Sequence, residues 1–374
     1  MEDKALSDVP DIQREVKAKE CRLRGLLATK GAEAVLISRR DNFSWFTCGA
    51  SNHVSQASDL GVCHLLVTQD RKWALCENIE AARVGDEELG GQGFEMVAYP
   101  WYEGTLPAAL SKLVSGPLIS DTGIVGSTNV LDDIARLRWT LTPEEIARYQ
   151  VLGGIVSRAL AQAARAVQPG MSEHEIAALL SSPLIAQGVQ PVVCLIAVDG
   201  RIERYRHPIP TDARLERVAM LVVCGRKWGL IASATRLVHF GPLPADLRRK
   251  HDAVVHVDQA FVAGTMPGRR VGDIVSEALA AYRETGFAEE WKLHHQGGPT
   301  GYVGRDYRGN TTTDHPVLAN QAFAWNPSIT GTKSEDTIIA TAEGPLAVTE
   351  PLDYPALKLA IPGKTLLRAD ILVR

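Results

Sequence analysis

The strongest constraint on the fold is a pattern that the chain writes twice. Thr142-Pro143-Glu144-Glu145 predicts a helix start, with Thr142 as cap, Pro143 at the first helical position and Glu145 closing a capping box. Ile146, Tyr149, Gly153, Val156, Leu160, Ala163 and Val167 then recur at alternating spacings of three and four, one face of a long helix. Pro169-Gly170 stops that helix. Ser172 with Glu175 caps a second one running towards Gly188, where Pro183 is expected to break it early. The same grammar returns from about Pro244 to Val262, through Met266-Pro267-Gly268, and again from about Val271 to Glu284 before Gly286. Strand-rich sequence follows each copy: Val189 to Asp199 and Ala219 to Phe240 after the first, Phe323 to Ala342 after the second. An internal duplication with a period of roughly 98 residues is therefore expected, its halves packing as one pseudo-two-fold domain.

The first third of the chain has a different texture. Residues 11 to 31 are charged, with Val16, Leu23, Leu26 and Leu27 interleaved, and close at Lys30-Gly31 as a surface helix would. Strand-like runs follow at Ala34 to Ile37, Phe43 to Thr47, Val62 to Thr68 and Trp73 to Cys76, and Pro107 to Val114 suits a further helix. This predicts a compact α/β domain over residues 1–140 and a second domain over 141–374. With 40 basic against 44 acidic residues, the net charge of −4 offers no bulk attraction for nucleic acid or an anionic membrane. No run approaches 18 apolar residues, so no membrane span is expected. Met1-Glu2-Asp3-Lys4 lacks the pattern of a secretory signal, and the six cysteines, at 21, 48, 63, 76, 194 and 224, form no CxxC pair. That usage points to a reducing cytoplasm.

Five segments carry a family resemblance. They are Val167-Gln168-Pro169-Gly170-Met171-Ser172-Glu173; Gly229 through Thr235-Arg236 to Gly241; His295-Gln296-Gly297-Gly298; Trp325-Asn326-Pro327; and Lys333-Ser334-Glu335-Asp336-Thr337. In order and spacing the chain resembles the creatinase/methionine aminopeptidase/prolidase family. The resemblance implies an α+β protein: an N-terminal α/β creatinase-type domain followed by a duplicated pita-bread catalytic domain. The family's metallopeptidases hold two divalent metals with two Asp, one His and two Glu. Those positions fall here on Val222 and Ser233, eleven residues apart, then on His295, Asn326 and Glu335. Three of the five donors are thus lost, so no metal and no other cofactor is expected.

Creatinase is the family's precedent for work without metal, and its acid/base histidine matches His207 in Arg206-His207-Pro208. Its acidic residue near the end of the fold matches Glu335, its other guanidinium-holding Glu falls on Thr235, and its carboxylate-holding arginine matches Arg305. The resemblance also implies a homodimer.

The residues themselves add to this. The prolines around His207 hold an extended loop, and the cations nearby favour a neutral imidazole, the state that a general base needs. His294 and His295 are adjacent, so on a strand only one could face a site, and His295 is the expected one. The glycines that follow would let a ligand approach the backbone. Glu335 enters an apolar run and needs a partner, for which His295 is the natural candidate. Asn326 offers an amide where the metal enzymes have a carboxylate. Arg226, Lys227, Arg269, Arg270 and Arg308 are expected in solvent.

The expected function is a metal-independent, creatinase-like hydrolase or lyase of a C–N bond in a small, carboxylated substrate. His207, His295 and Glu335 would be catalytic; Asn326, Arg305, Ser233 and Thr235 would bind substrate. The alternatives are a non-catalytic pita-bread protein that binds a small molecule, peptide or protein, and a Xaa-Pro aminopeptidase-like metallopeptidase.

Overall fold

The computed structural model describes residues 12–374; the stretch containing Met1 to Lys4 lies outside the described residues. The chain divides into two compact units, Met1–Arg138 with Thr142–Glu145, and Trp139–Leu141 with Ile146–Arg374.

In the first unit the elements are α1 (Ile12–Lys30), β1 (Ala34–Arg39), α2 (Arg40–Phe46), β2 (Leu60–Val67), β3 (Lys72–Glu77), α3 (Ala81–Arg83), β4 (Glu95–Tyr99), α4 (Leu106–Leu110), β5 (Leu118–Ser120), β6 (Thr128–Asn129) and α5 (Leu131–Arg138). Six strands form one mixed sheet in the order β4-β3-β2-β1-β5-β6. Val35, Leu36 and Ile37 of β1 are fully buried, as a central strand covered on both faces requires. Two expectations fail here. The run Phe43 to Thr47 lies in and just beyond a helix, closed where the Thr47 amide and hydroxyl both donate to the Phe43 carbonyl. Phe43, Trp45 and Phe46 are buried together, and periodicity cannot tell so short a buried helix from a strand. Helix α1 is not simply a surface helix either. Its Lys19 is fully buried between Glu15 (2.6 Å) and Glu145 (2.7 Å), with the Trp45 carbonyl as a further acceptor.

Both predicted capping boxes are present. Glu145 N donates to Thr142 Oγ1 (3.2 Å) and Thr142 N to Glu145 Oε2 (2.7 Å), opening α6 (Pro143–Ala166). Ser172 and Glu175 exchange the same pair of bonds before α7 (Glu173–Ile185). Pro183 sits inside the last turn of α7 without ending it, although its missing N–H leaves one carbonyl of the preceding turn without its helical bond.

The second unit repeats a plan of two helices followed by strands. After α6 and α7 come β7 (Gln190–Val198), α8 (Gly200–Arg204), β8 (Val218–Lys227) and β9 (Leu230–His239), the strands antiparallel in that order. After α9 (Ala245–Gly264) and α10 (Val271–Glu284) come β10 (Gly297–Thr300), β11 (Gln321–Trp325), β12 (Ser328–Ile329), β13 (Thr332–Lys333), β14 (Asp336–Ala340) and β15 (Leu346–Ala347). Strands β10-β11-β14-β15 make a second antiparallel sheet, and β12 pairs with β13. A hairpin of β16 (Ala356–Ile361) and β17 (Lys364–Ala369) leads to β18 (Ile371–Val373), which lies parallel to β9. Helices α9 and α10 pack on the second sheet through Val257, Phe261, Ile274 and Tyr282 against Phe323 and Trp325, with Phe261 and Trp325 stacked at 4.5 Å.

The two sheets meet where β9 runs beside the start of β14. Thr235 N donates to the Glu335 carbonyl (3.0 Å) and Ser233 N to Thr337 Oγ1 (2.8 Å). Beside this seam, Arg236 and Asp336 form an ion pair at 3.0 Å, both side chains 1% exposed, and Thr349 donates to Asp336. Removing one member of such a pair leaves a buried charge unmatched. Arg236→Met is therefore expected to lower stability by about 3–5 kcal/mol, read from denaturant midpoints at unchanged slope. A loss below about 1 kcal/mol would mean that the seam does not depend on the pair.

Candidate active site

Four segments of the second unit converge on a cavity of about 640 Å³. The first is the loop after α8, which carries His207. Buried Glu173 straps the segment together, accepting from Val198 N (3.0 Å), Arg201 Nε (2.7 Å), Thr211 N (2.8 Å) and Thr211 Oγ1 (2.7 Å). Arg206 anchors it again on Glu290 (2.8 Å) and Thr330 (2.9 Å), so the next residue, His207, projects from a fixed backbone.

The second segment enters β10. The Gln296 side chain turns back to donate to the His294 carbonyl (2.7 Å) and accepts from Tyr282 Oη (2.9 Å). His294 and His295 precede the strand and escape its alternation, so both imidazoles come close to His207, but of the two only His295 lines the cavity. His294 is buried, with its Nε2 3.1 Å from His207 Nε2, and one ring nitrogen from each of His207, His294 and His295 lies within 4.8 Å of the other two. His294 stands behind His207 rather than in the lining. The glycines differ from expectation. A Cβ on Gly297 (φ +97°) would lie 2.2 Å from the Ala324 carbonyl oxygen, and one on Gly298 (φ +149°) 2.4 Å from that of Tyr307. Their bare Cα atoms admit neighbouring backbone rather than a ligand.

The third segment, β8 with β9, sets the floor. Its register pairs Val222 with Thr235 and Cys224 with Ser233, putting all four on one face. Val222 and Cys224 line the cavity. Ser233 does not: it is fully buried, its hydroxyl donates to Cys224 Sγ (3.2 Å), and its carbonyl accepts from Thr337 Oγ1. Thr235 does not reach the cavity either, since its hydroxyl donates to Glu335 Oε2 (2.7 Å). Neither is placed as a substrate contact; Thr235 orients Glu335 instead.

The fourth segment runs from Asn326 to Glu335. Asn326 is 3% exposed, lines the cavity, and its Oδ1 has no hydrogen-bond partner. Glu335 is also 3% exposed, and its oxygens are taken by Lys333 Nζ (2.6 Å), Thr235 and Arg305 Nη2 (3.4 Å). Its partners are thus two cations and a hydroxyl, not the expected His295. Arg305 and Arg308 line the cavity, Arg308 from its mouth, where it is exposed to solvent as expected. Lys333, 5% exposed, escaped notice in the sequence although the alternation that pairs Glu335 with Thr337 also puts Lys333 on their face.

The charges order the protonation states. Burial opposes ionisation of Glu335, but Lys333 and Arg305 override it and hold the carboxyl down at about 2. Burial lowers all three imidazoles, helped by Lys333 throughout: His294 to about 3, His295 to about 4, where Arg305 and Arg308 add to the effect, and His207 below its ordinary value. The site at neutral pH thus consists of three neutral imidazoles, one carboxylate, and the cations Lys333, Arg305 and Arg308.

Against this geometry the comparisons take on meaning. Residues 147–342, just over half of the chain, match metallopeptidase family M24. The chain belongs to metallopeptidase family M24. It is 24% identical over 262 residues to a probable dipeptidase PepE of Mycobacterium tuberculosis (strain ATCC 25618 / H37Rv), covering 66% of this chain and 69% of that protein. A prolidase from Pyrococcus horikoshii OT3 superposes with a TM-score of 0.76 at 19% identity, covering 89% of this chain and 98% of that one. A Xaa-Pro dipeptidase from Bacillus anthracis gives 0.77 at 18%, covering 96% and 100%. The fold is the α+β pita-bread fold that the resemblance implied. Among the described residues no helix is long and apolar enough to cross a membrane.

The family implies divalent metal, and the donors present do not fit a two-metal centre. Val222 offers no ligand atom, the Ser233 hydroxyl is engaged by Cys224, and Asn326 is neutral. Lys333 already supplies the positive charge next to Glu335. The three imidazoles are spaced as ligands of one transition-metal ion, but Lys333, Arg305 and Arg308 surround them with positive charge, which opposes a dication.

Because His294, His295 and Glu335 all ionise below their ordinary values, the folded protein binds fewer protons than the unfolded chain at mildly acid pH. Their contribution to stability is complete above about pH 6.5 and is lost as pH falls towards the folded values. Urea midpoints are expected to fall between about pH 6.5 and 4, and the double variant His294→Gln, His295→Gln to flatten that slope. An unchanged slope in the variant would contradict these assignments.

Proposed function

We propose that the protein hydrolyses the amide C–N bond of a small, carboxylate-bearing substrate of about dipeptide size, without the family's two-metal centre. One observation carries the reading: two imidazoles, His207 and His295, line a cavity whose cations are Lys333, Arg305 and Arg308 and whose single carboxylate, Glu335, is already paired with Lys333, while His294 packs on His207 from behind. Such a lining favours an anion, and Val193, Leu195 and Val222 add an apolar wall. Relatives named as dipeptidases support the size and bond type.

In this reading a neutral His207 takes a proton from water as its oxygen bonds to the carbonyl carbon. Collapse of the tetrahedral intermediate re-forms the carbonyl and breaks the C–N bond, and His207 returns the proton to the leaving nitrogen. His294, buried against His207, fixes the ring and its tautomer. Arg305, whose Nε is buried without a partner, holds the substrate carboxylate, and His295 and Asn326 orient the scissile group. The homodimer and the cytoplasmic location implied by the sequence belong to the same proposal.

The family itself favours a second reading, a metallopeptidase of Xaa-Pro dipeptidase type, which would require Lys333 to leave Glu335. A panel of dipeptides, N-acyl amino acids and amidines, assayed with and without chelator, separates the two. Chelator-insensitive turnover is expected, with His207→Ala slower by roughly 10²–10⁴-fold at unchanged melting temperature. Turnover that appears only with added manganese or cobalt would establish the second reading. No turnover by a folded protein would leave the non-catalytic binder.

A further inference from the structure

Lys333 is a buried cation of the site to which the proposed chemistry gives no part. It is almost wholly buried, yet it lines the cavity on the same face as Glu335. Its Nζ lies 2.6 Å from one Glu335 oxygen, which leaves an ammonium with three donors able to reach a second acceptor. Asn326 lines the same cavity with a buried amide: its Nδ2 is a donor for a ligand oxygen, while its unpartnered Oδ1 can only accept and suits an N–H of the ligand. A lysine needed only to neutralise Glu335 would be redundant, because Thr235 and Arg305 already approach that carboxylate.

We propose that Lys333 and Asn326 form an oxyanion subsite, which binds the negatively charged tetrahedral form of a scissile carbonyl in preference to its planar form. The proposal rests on the amide-hydrolase reading above and deepens it. As water adds to the carbonyl carbon, the π pair moves onto the carbonyl oxygen. Lys333 Nζ then donates to that oxygen and keeps its bond to Glu335, so a fixed cation meets charge where it develops. When the C–N bond breaks, the pair returns to the carbonyl and the donation weakens. No proton leaves Lys333 and no further reactant is needed.

The test uses two probes that differ only at this atom: a leucyl-alanine phosphinic pseudodipeptide, tetrahedral and anionic, and the matching ketomethylene isostere, planar and neutral. Both keep the same terminal carboxylate. Calorimetric titration of the full chain should show the phosphinate bound more tightly by about 10²-fold or more, the scale of a lost oxyanion donor. Lys333→Met should abolish that preference and leave ketomethylene affinity within about threefold. Since this variant strips Glu335 of a counter-charge, Lys333→Met with Glu335→Gln serves as the second variant. If Lys333 only balances Glu335, the double variant regains the preference; if Lys333 binds the oxyanion, the preference stays lost. Equal affinity of the unaltered protein for the two probes, or no affinity for either, would overturn the proposal. The readout is binding, so it is separate from the turnover that decides the amide-hydrolase reading.

Discussion

The second unit is organised around a carboxylate that could not be buried alone. Glu335 is 97% removed from solvent, and leaving it ionised there without partners would cost several kcal/mol. Lys333, Thr235 and Arg305 remove that cost from three directions, and each arrives on a different element: β13, β9 and the loop after β10. Its neighbours obey the same rule, since Ser334 donates to Asp258, itself paired with Arg368, and Asp336 is paired with Arg236. Four consecutive buried polar side chains, Lys333 to Asp336, thus tie β14 to β9, α9 and β17. The site inherits its rigidity from this network.

The network also sets the electrostatics. In the proposed reading, the positions that hold metal in the family fall on Val222, Ser233 and Asn326, and the remaining carboxylate is covered by cations. Inverting the sign of the cavity changes what can enter it. A pocket of fixed positive charge and neutral imidazoles stabilises anions and developing negative charge, a task that elsewhere in the fold falls to metal ions. In that reading the charge of the lining is a better guide to mechanism than the fold.

Much of the architecture was legible in the chain because local chemistry and tertiary packing agree. The two capping boxes, the Pro-Gly stops and the 3.6-residue periodicity specify α6, α7, α9 and α10 with little help from the rest of the molecule. Helix α2 was misread because a short, wholly buried segment carries no amphipathic signal. In the site, His207 and Arg305 were visible from motifs and do line the cavity. The contact of His294 with His207 was missed because strand alternation was applied to residues that precede the strand. Ser233 and Thr235 lie on the expected face, but pattern does not reveal that Cys224 and Glu335 already occupy their hydroxyls. Lys333 was missed because a lysine is assigned to solvent by default, and only three-dimensional burial shows it at the centre.

The most direct measurement is a crystal structure at neutral pH, grown with both manganese and the ketomethylene dipeptide isostere in excess, with manganese located by its anomalous signal. The result expected is the isostere's carboxylate on Arg305, Lys333 Nζ still hydrogen-bonded to Glu335, and no manganese between His295 and Glu335. Manganese bound to Glu335, with Lys333 turned away from it, would contradict the cationic site on which everything above depends.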